Sequence, residues 1–449
     1  MSGRHGDGAA PDRLTLAAYA APAFAFAIPT LPVLIFLPAV YADGLGLGLA
    51  ATGAALLAAR LFDMASDPLI GLLSDRTRSR FGRRKIWVVA GAPVAALGFL
   101  MLAFPPAGIG PLYLAGWLMV LYLGWTAVQV PYAAWGAELS SDYRMRTRIA
   151  AMREGAAIGG ILLASAIPVI AGGGAQAQFA AIALTAIGLG AVTLVGLGLL
   201  VPDRPPPRPG ANGRRPAPPI ALLLRQALGN GPFLRLVAAW FVNGLANGLP
   251  AALFILYLTH GLKVAETDRP LFILAYFLAA IFCLPLWTAL SGRIGKHRAW
   301  CLAMLTASAA FLPVPLLPEG AFAAFLVVCL VTGAALGADL ALPPAMQADV
   351  IDLDRLRHGE DRAGLFFAVW LAVTKAAAAL AAGLGLAGVA AAGFDPAAPT
   401  PSGIAALAMA YAGVPVALKL AAVALVWGFP ITARRQAAIR RRLSAASGG

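Results

Sequence analysis

The sequence predicts an all-α polytopic membrane protein, twelve transmembrane helices in two six-helix halves, and three observations carry that prediction. The first is composition: of 449 residues, 60% are hydrophobic and only 12% are charged, with a mean hydropathy of +0.80, values that do not suit a water-soluble globule. The second is length patterning, because apolar runs of the roughly 20 residues needed to cross a bilayer recur along the whole chain. The third is charge placement: Lys and Arg collect in every second loop.

In order, the spans fall near 15–41, 46–73, 86–105, 111–138, 149–171, 178–201, 232–259, 268–290, 300–317, 320–345, 364–391 and 403–431. Asp7 and Asp12 precede the first, and no small-residue cleavage pattern follows it, so it reads as a retained span rather than a signal peptide. Arg76, Arg78, Arg80, Arg83, Arg84 and Lys85 follow the second span; Arg144, Arg146 and Arg148 follow the fourth; Arg204, Arg208, Arg214, Arg215 and Arg225 follow the sixth. The pattern continues with Arg293, Lys296 and Arg298, with Arg355, Arg357 and Arg362, and with the tail Arg434, Arg435, Arg440, Arg441 and Arg442. The intervening loops hold only Lys263 and Arg269 as strong bases, so the positive-inside rule puts both termini in the cytoplasm of a bacterial inner-membrane protein. The net charge of +14 is therefore a topology signal, and no nucleic-acid partner is implied.

Between the sixth and seventh spans lies the run Pro202-Asp-Arg-Pro-Pro-Pro-Arg-Pro-Gly-Ala-Asn-Gly-Arg-Arg-Pro-Ala-Pro-Pro219, whose Pro and Gly density prevents regular structure. It divides the chain into a six-helix bundle at 1–201, a linker at 202–230, a second bundle at 231–432 and a basic tail at 433–449. Residues 222–228 are expected to form a short amphipathic helix. The halves echo each other, as in transporters built from repeats. Pro29-Thr-Leu-Pro32-Val-Leu-Ile-Phe36 is echoed by Asn247-Gly-Leu-Pro250-Ala-Ala-Leu-Phe254, and the loop 71–85 by 290–298. Pro131 followed by Glu138 is echoed by Pro343 followed by Asp349 and Asp352.

The second span is interrupted by Arg60-Leu-Phe-Asp63-Met-Ala-Ser66-Asp67-Pro68. Asp63 and Asp67 are four residues apart, so a helix sets both on one face, with Ser66 beside them and Arg60 one turn earlier. Carboxylates at membrane depth must line a polar cavity or pair with an opposite charge. An ion site follows, and a structural ion pair with Arg60 or Lys375 is the competing reading. Lys375 and Asp339 can likewise neutralise one another, and Lys419, mid-span, can snorkel or pair with a neighbouring helix. Gln129, Asn243 and Asn247 serve either as glue between helices or as ligands. Cys283, Cys301 and Cys329 have no metal-ligand spacing and read as packing residues. His5, His260, His297 and His358 are scattered, and neither G-x-S-x-G nor H-E-x-x-H occurs, so an enzyme, a metal site and a cofactor are not expected.

The stretch 60–85 resembles the second helix and following loop of the glycoside-pentoside-hexuronide:cation symporter family, the melibiose-permease-like branch of the major facilitator superfamily. Val130-Pro-Tyr-Ala-Ala-Trp135, Asp142-Tyr-Arg-Met-Arg-Thr-Arg148 with Arg153, and Met346-Gln-Ala-Asp349-Val-Ile-Asp352 running on to Gly359, Arg362, Gly364 and Lys375 extend the resemblance over nearly the whole chain. It implies a major facilitator fold of two pseudo-symmetric bundles, and the single-chain length is compatible with action as a monomer. The implied activity is symport of a small polar solute, such as a glycoside or other sugar, with Na+ or H+ by alternating access. It also implies a cation site at Asp63, Ser66, Asp67 and Thr126, with Ser66 in place of the asparagine of sugar-transporting members. A hydroxyl coordinates sodium about as readily as an amide oxygen, and two carboxylates can equally hold a proton, so both coupling ions stay open.

The sugar side fits less well. Aligned on Tyr19, the first-span acidic residue of melibiose-type members falls at Ala27; aligned on Pro131, the fourth-span acidic residue falls at Gln129 and its nearby tryptophan at Ala133. Arg153 and Lys375 match the family's basic positions, and Gln129, Trp125, Trp135, Asn243, Asn247 and Trp370 can bond or stack a polar ligand. An anionic or amphipathic solute, lysolipid-like compounds included, suits Arg153 and Lys375 at least as well, so an exporter or uniporter of such a compound is the rival reading. A non-transporting sensor would normally add a soluble domain, whereas only short loops and tails flank the spans. In the superfamily resembled, basic loops lock the halves on the cytoplasmic side. Asp75, Glu138 and Asp142 are then the expected partners of Arg76, Arg83 and Arg144, and Asp349, Asp352 and Asp354 those of Arg355 and Arg362.

Overall fold

In hydrocarbon there is no water to bond the backbone, so an apolar span satisfies its N–H and C=O groups within itself, as helix. The computed structural model describes residues 12–30, 32–77, 79, 81–139, 143–203, 229–358 and 363–447. Among them, 12 helices are long and apolar enough to cross a membrane. The chain divides into two compact units, Met1–Ala211 and Asn212–Gly449. The first holds α1 (Arg13–Gly44), α2 (Leu49–Arg76), α3 (Lys85–Ala103), α4 (Pro111–Glu138), α5 (Tyr143–Ala171) and α6 (Ala175–Leu200). The second holds α7 (Gly231–Gly261), α8 (Arg269–Ile294), α9 (Lys296–Leu316), α10 (Phe322–His358), α11 (Ala363–Ala391), α12 (Pro401–Val426) and α13 (Ala433–Ser447).

Both units use one neighbour pattern. In the first, α4 packs on α2 and α3, α1 packs on α5 and α6, and α3 also meets α6; in the second, α10 packs on α8 and α9, α7 packs on α11 and α12, and α9 meets α12. The helix that opens each unit ends in a widened π turn, Val40–Gly44 in α1 and Tyr257–Gly261 in α7. Small residues permit the closest seams, since association in lipid relies on packing rather than on burial from water. At Gly98 of α3, an added Cβ would lie 2.6 Å from the Leu121 nitrogen of α4, so the two backbones can approach only through glycine. Tyr19 and Tyr132 clamp α1 to α4: their rings stack at 4.8 Å, and each hydroxyl donates to the other's backbone carbonyl.

Three helices run past the apolar spans that the sequence marks. Helix α10 has 37 residues and reaches His358, α5 begins at Tyr143, and the basic tail is helical over Ala433–Ser447 and packs on α10. Hydropathy ends where the hydrocarbon ends, whereas a helix continues as long as its polar residues tolerate it. The expected helix at 222–228 lies outside the described residues.

Candidate functional site

Helix α2 carries Arg60, Asp63, Ser66 and Asp67 on successive turns, and α4 lies along it. From α4, Thr126 Oγ1 stands 3.0 Å from Asp63 Oδ1 and 2.9 Å from Asp67 Oδ1. A hydroxyl has one hydrogen, so it donates fully to only one carboxylate at a time. Asp63, Ser66 and Thr126 are 3%, 5% and 3% exposed, and Asp67 is half-buried. On the far side of Asp63, Oδ2 faces Arg60 Nη1 at 3.6 Å. The Arg60 guanidinium lies over the Tyr122 ring, 4.4 Å from its centroid, a cation–π seat that holds it to one side of the two acids. Ser66 Oγ donates to the Asp63 carbonyl at 3.0 Å, spending its hydrogen on its own helix. Pro68 has no N–H, so the Met64 carbonyl loses its helical donor. The result is a group of hard oxygens, two of them carboxylate, at one level of α2 and α4.

The basic loop between α2 and α3 is held by a residue that sequence reasoning missed. Asp203 Oδ2, just past α6, accepts from the backbone N–H of Arg84 at 2.8 Å and of Lys85 at 2.9 Å, capping the positive end of α3. Gly82 sits at φ +107°, where a side chain would run into that carboxylate. Arg84 Nη1 donates to Ser74 Oγ at 2.8 Å, and Arg83 belongs to the same turn. The sole carboxylate in the run 202–219 was the available signal. Of the expected gating residues, Asp142 and Arg362 lie outside the described residues, as do the side chains of Asp75, Arg76, Glu138 and Arg144. In the second unit, Lys296 opens α9 and donates to Asp349 Oδ2 at 2.6 Å, and Gln436 of α13 donates to Asp352 Oδ2 at 2.7 Å. These partners come from packed neighbouring helices.

Among the substrate candidates, Asn243 and Asn247 come together in a buried network. Lys419 Nζ of α12 donates to Asn243 Oδ1 at 3.0 Å and to Asn247 Oδ1 at 2.8 Å. Asn247 Nδ2 donates to Asp339 Oδ2 at 2.8 Å, and Trp300 Nε1 donates to Asp339 Oδ1 at 2.6 Å. Asn243, Asp339 and Lys419 are all buried. Lys419 therefore pairs with a neighbouring helix and does not snorkel, and Asn247 links it to Asp339. Trp370 stacks on Trp240 at 4.7 Å, and Trp240 Nε1 donates to Thr374 Oγ1 at 2.7 Å, next to the half-buried Lys375. In the first unit, Arg153 pairs with Glu154 at 2.5 Å, Gln129 is half-buried on α4, Trp135 donates to the Pro202 carbonyl at 3.0 Å, and Trp125 lines an apolar cavity.

Comparison with known proteins places this geometry in a family. The profile of the family described as MFS/sugar transport protein matches residues 18–433. An uncharacterized symporter of Synechocystis is 25% identical, covering 96% of this chain and 96% of its own. The sodium-dependent lysophosphatidylcholine symporter 1 of Mus musculus is 25% identical over 73% of this chain and 68% of its own. Among solved structures, a D-xylose-proton symporter matches with a TM-score of 0.62 at 15% identity, covering 93% of this chain and 98% of that one, a likeness of fold.

Proposed function

The chain belongs to the MFS/sugar transport protein family and is a multi-pass secondary transporter of a small molecule, and from that premise we propose that it is a cation-coupled symporter of the melibiose-permease-like branch. The observation that carries this reading is Thr126, whose one hydroxyl hydrogen serves both Asp63 and Asp67. A monovalent cation, sodium or a proton, takes hard oxygen donors, and two carboxylates one helical turn apart that share a hydroxyl supply them. Ser66 Oγ and the Met64 carbonyl add neutral oxygens at the same level of α2. Binding there offsets one of the two negative charges, which lowers the cost of burying the carboxylates during the transport cycle. Because coupling between ligands is reciprocal, cargo then tightens cation binding by the factor that the cation tightens cargo binding.

A second reading concerns the cargo. The positions where melibiose-type members carry sugar-contacting acids are Ala27 and Gln129 here, and relatives along the same alignment are named for lysophosphatidylcholine and sphingosine-1-phosphate. An amphipathic or anionic solute is thereby favoured over a plain glycoside, with Arg153 and Lys375 as the candidate head-group residues. Uptake into proteoliposomes tests both levels. With an inward sodium or proton gradient, a lysophospholipid is expected to accumulate, and Asp67→Asn to abolish the gradient dependence. Accumulation that ignores both gradients would mark a uniporter.

A further inference from the structure

Within the first unit, α1, α3, α4 and α6 border a half-open cavity of about 590 Å³ whose walls include Phe26, Ala96, Phe99, Trp125, Gly190 and Leu194. That volume lies inside the roughly 300–1,000 Å³ range of small-molecule sites. The residues of its wall are apolar, which excludes a sugar or an ion as occupant. Along α6 the wall runs from Ala186 to Leu199, about 20 Å of helix at about 1.5 Å per residue. The space along this wall, an apolar tube open on one side, is long enough to hold one extended hydrocarbon chain. Wall residues Val89, Val195 and Leu199 are 53%, 61% and 80% exposed, so the tube opens through an apolar edge of the unit, as a ligand arriving from hydrocarbon requires.

Two further observations define the occupant. Gly190 is buried, yet a Cβ added there meets nothing within 4 Å: the backbone of α6 borders open space where a core position would be filled. At one end of the tube, Lys85 Nζ donates to the carbonyl of Gly198, itself a wall residue. An ammonium group has three hydrogens, so Lys85 can also bond an anionic group lying at the mouth, beside the basic run Arg83-Arg84.

We propose that this tube binds a single-chain anionic amphiphile, its hydrocarbon chain between α3 and α6 and its head group at Lys85. The site is separate from the oxygen cluster, since Trp125 faces the tube while its neighbour Thr126 faces Asp63 and Asp67. It is tested by binding alone, so its failure leaves the coupling reading untouched, and the reverse also holds.

The probe is a palmitoyl lysophosphatidylglycerol bearing a diazirine in its chain, photolysed with the purified full-length protein, with labelled peptides identified by mass spectrometry. Labelling is expected on α3 and α6 within the tube, competed by unlabelled probe lipid. It should fall by about tenfold or more in Gly190→Leu, which fills the tube, and persist in Gly188→Leu, the same change at an exposed position of α6. Ala96→Leu fills the facing wall and serves if Gly190→Leu does not fold, as judged by thermal melting. Lys85→Gln should weaken labelling about tenfold for the anionic probe and leave an uncharged monoacylglycerol probe unaffected. Labelling elsewhere, labelling indifferent to both filling variants, or equal competition by a two-chain phosphatidylglycerol would overturn the proposal.

Discussion

Thr126 is a single hydroxyl shared by two carboxylates, and its removal is the most local test of the oxygen cluster. Thr126→Val removes one oxygen ligand from the cluster and is expected to weaken cation binding by about 10- to 100-fold, on the order of the 1.5–3 kcal/mol of one contact to a charged group, read by sodium titration. Lys419 presents the opposite case. It and Asp339 are buried opposite charges that meet through one amide, and removal of one partner from a buried pair costs about 3–5 kcal/mol. Lys419→Met should therefore lower the melting temperature sharply, and Asp339→Asn in the same chain should restore much of the loss. The two sites differ in how legible they were. Asp63 and Asp67 stand out because charge interrupts an apolar run, and Thr126 could be named only through the family resemblance, since a threonine in a span ordinarily bonds its own helix. The partners of Lys419 lie 176 and 172 residues away in sequence, and no local pattern specifies which helices will meet.

Helix α3 shows how an element is set by a residue outside it. Its first N–H groups are bonded by Asp203, which the chain delivers only after three further spans. Loss of a capping side chain costs about 0.5–2 kcal/mol, so Asp203→Ala should lower the melting temperature by a few degrees and leave cation binding intact. At Gly98, by contrast, a side chain meets backbone of α4, and Gly98→Leu is expected to prevent the α3–α4 seam from forming, seen as loss of monodisperse protein. Helix existence was readable throughout from run length and hydropathy, because hydrocarbon allows an apolar span no alternative to helix. Helix ends were not. Helices α5, α10 and α13 run through polar residues that carry no hydropathy signal, and nothing in composition marks the π turns that end α1 and α7.

At the scale of the whole molecule, the weak echoes between 29–36 and 247–254 and between 71–85 and 290–298 correspond to a shared neighbour pattern in the two units. Lys85 and Lys296, each opening the third helix of its unit, both use their ammonium groups on a neighbouring helix. Chemistry has diverged on this common frame: the first unit sets Asp63 and Asp67 against the Thr126 hydroxyl, with Arg60 to one side, and the second bonds its buried Asp339 to an asparagine and a tryptophan, the asparagine linking it to Lys419. Only the first arrangement offers a cluster of oxygens to a small cation, and cation coupling is the central claim. Isothermal calorimetry on the purified protein tests it most directly, with sodium titrated at two pH values on either side of neutrality and Asp63→Asn and Asp67→Asn variants alongside. The account predicts saturable sodium heat, or proton release, that disappears in both variants; ion binding that survives both substitutions, or no ion binding to the wild-type chain, would contradict it.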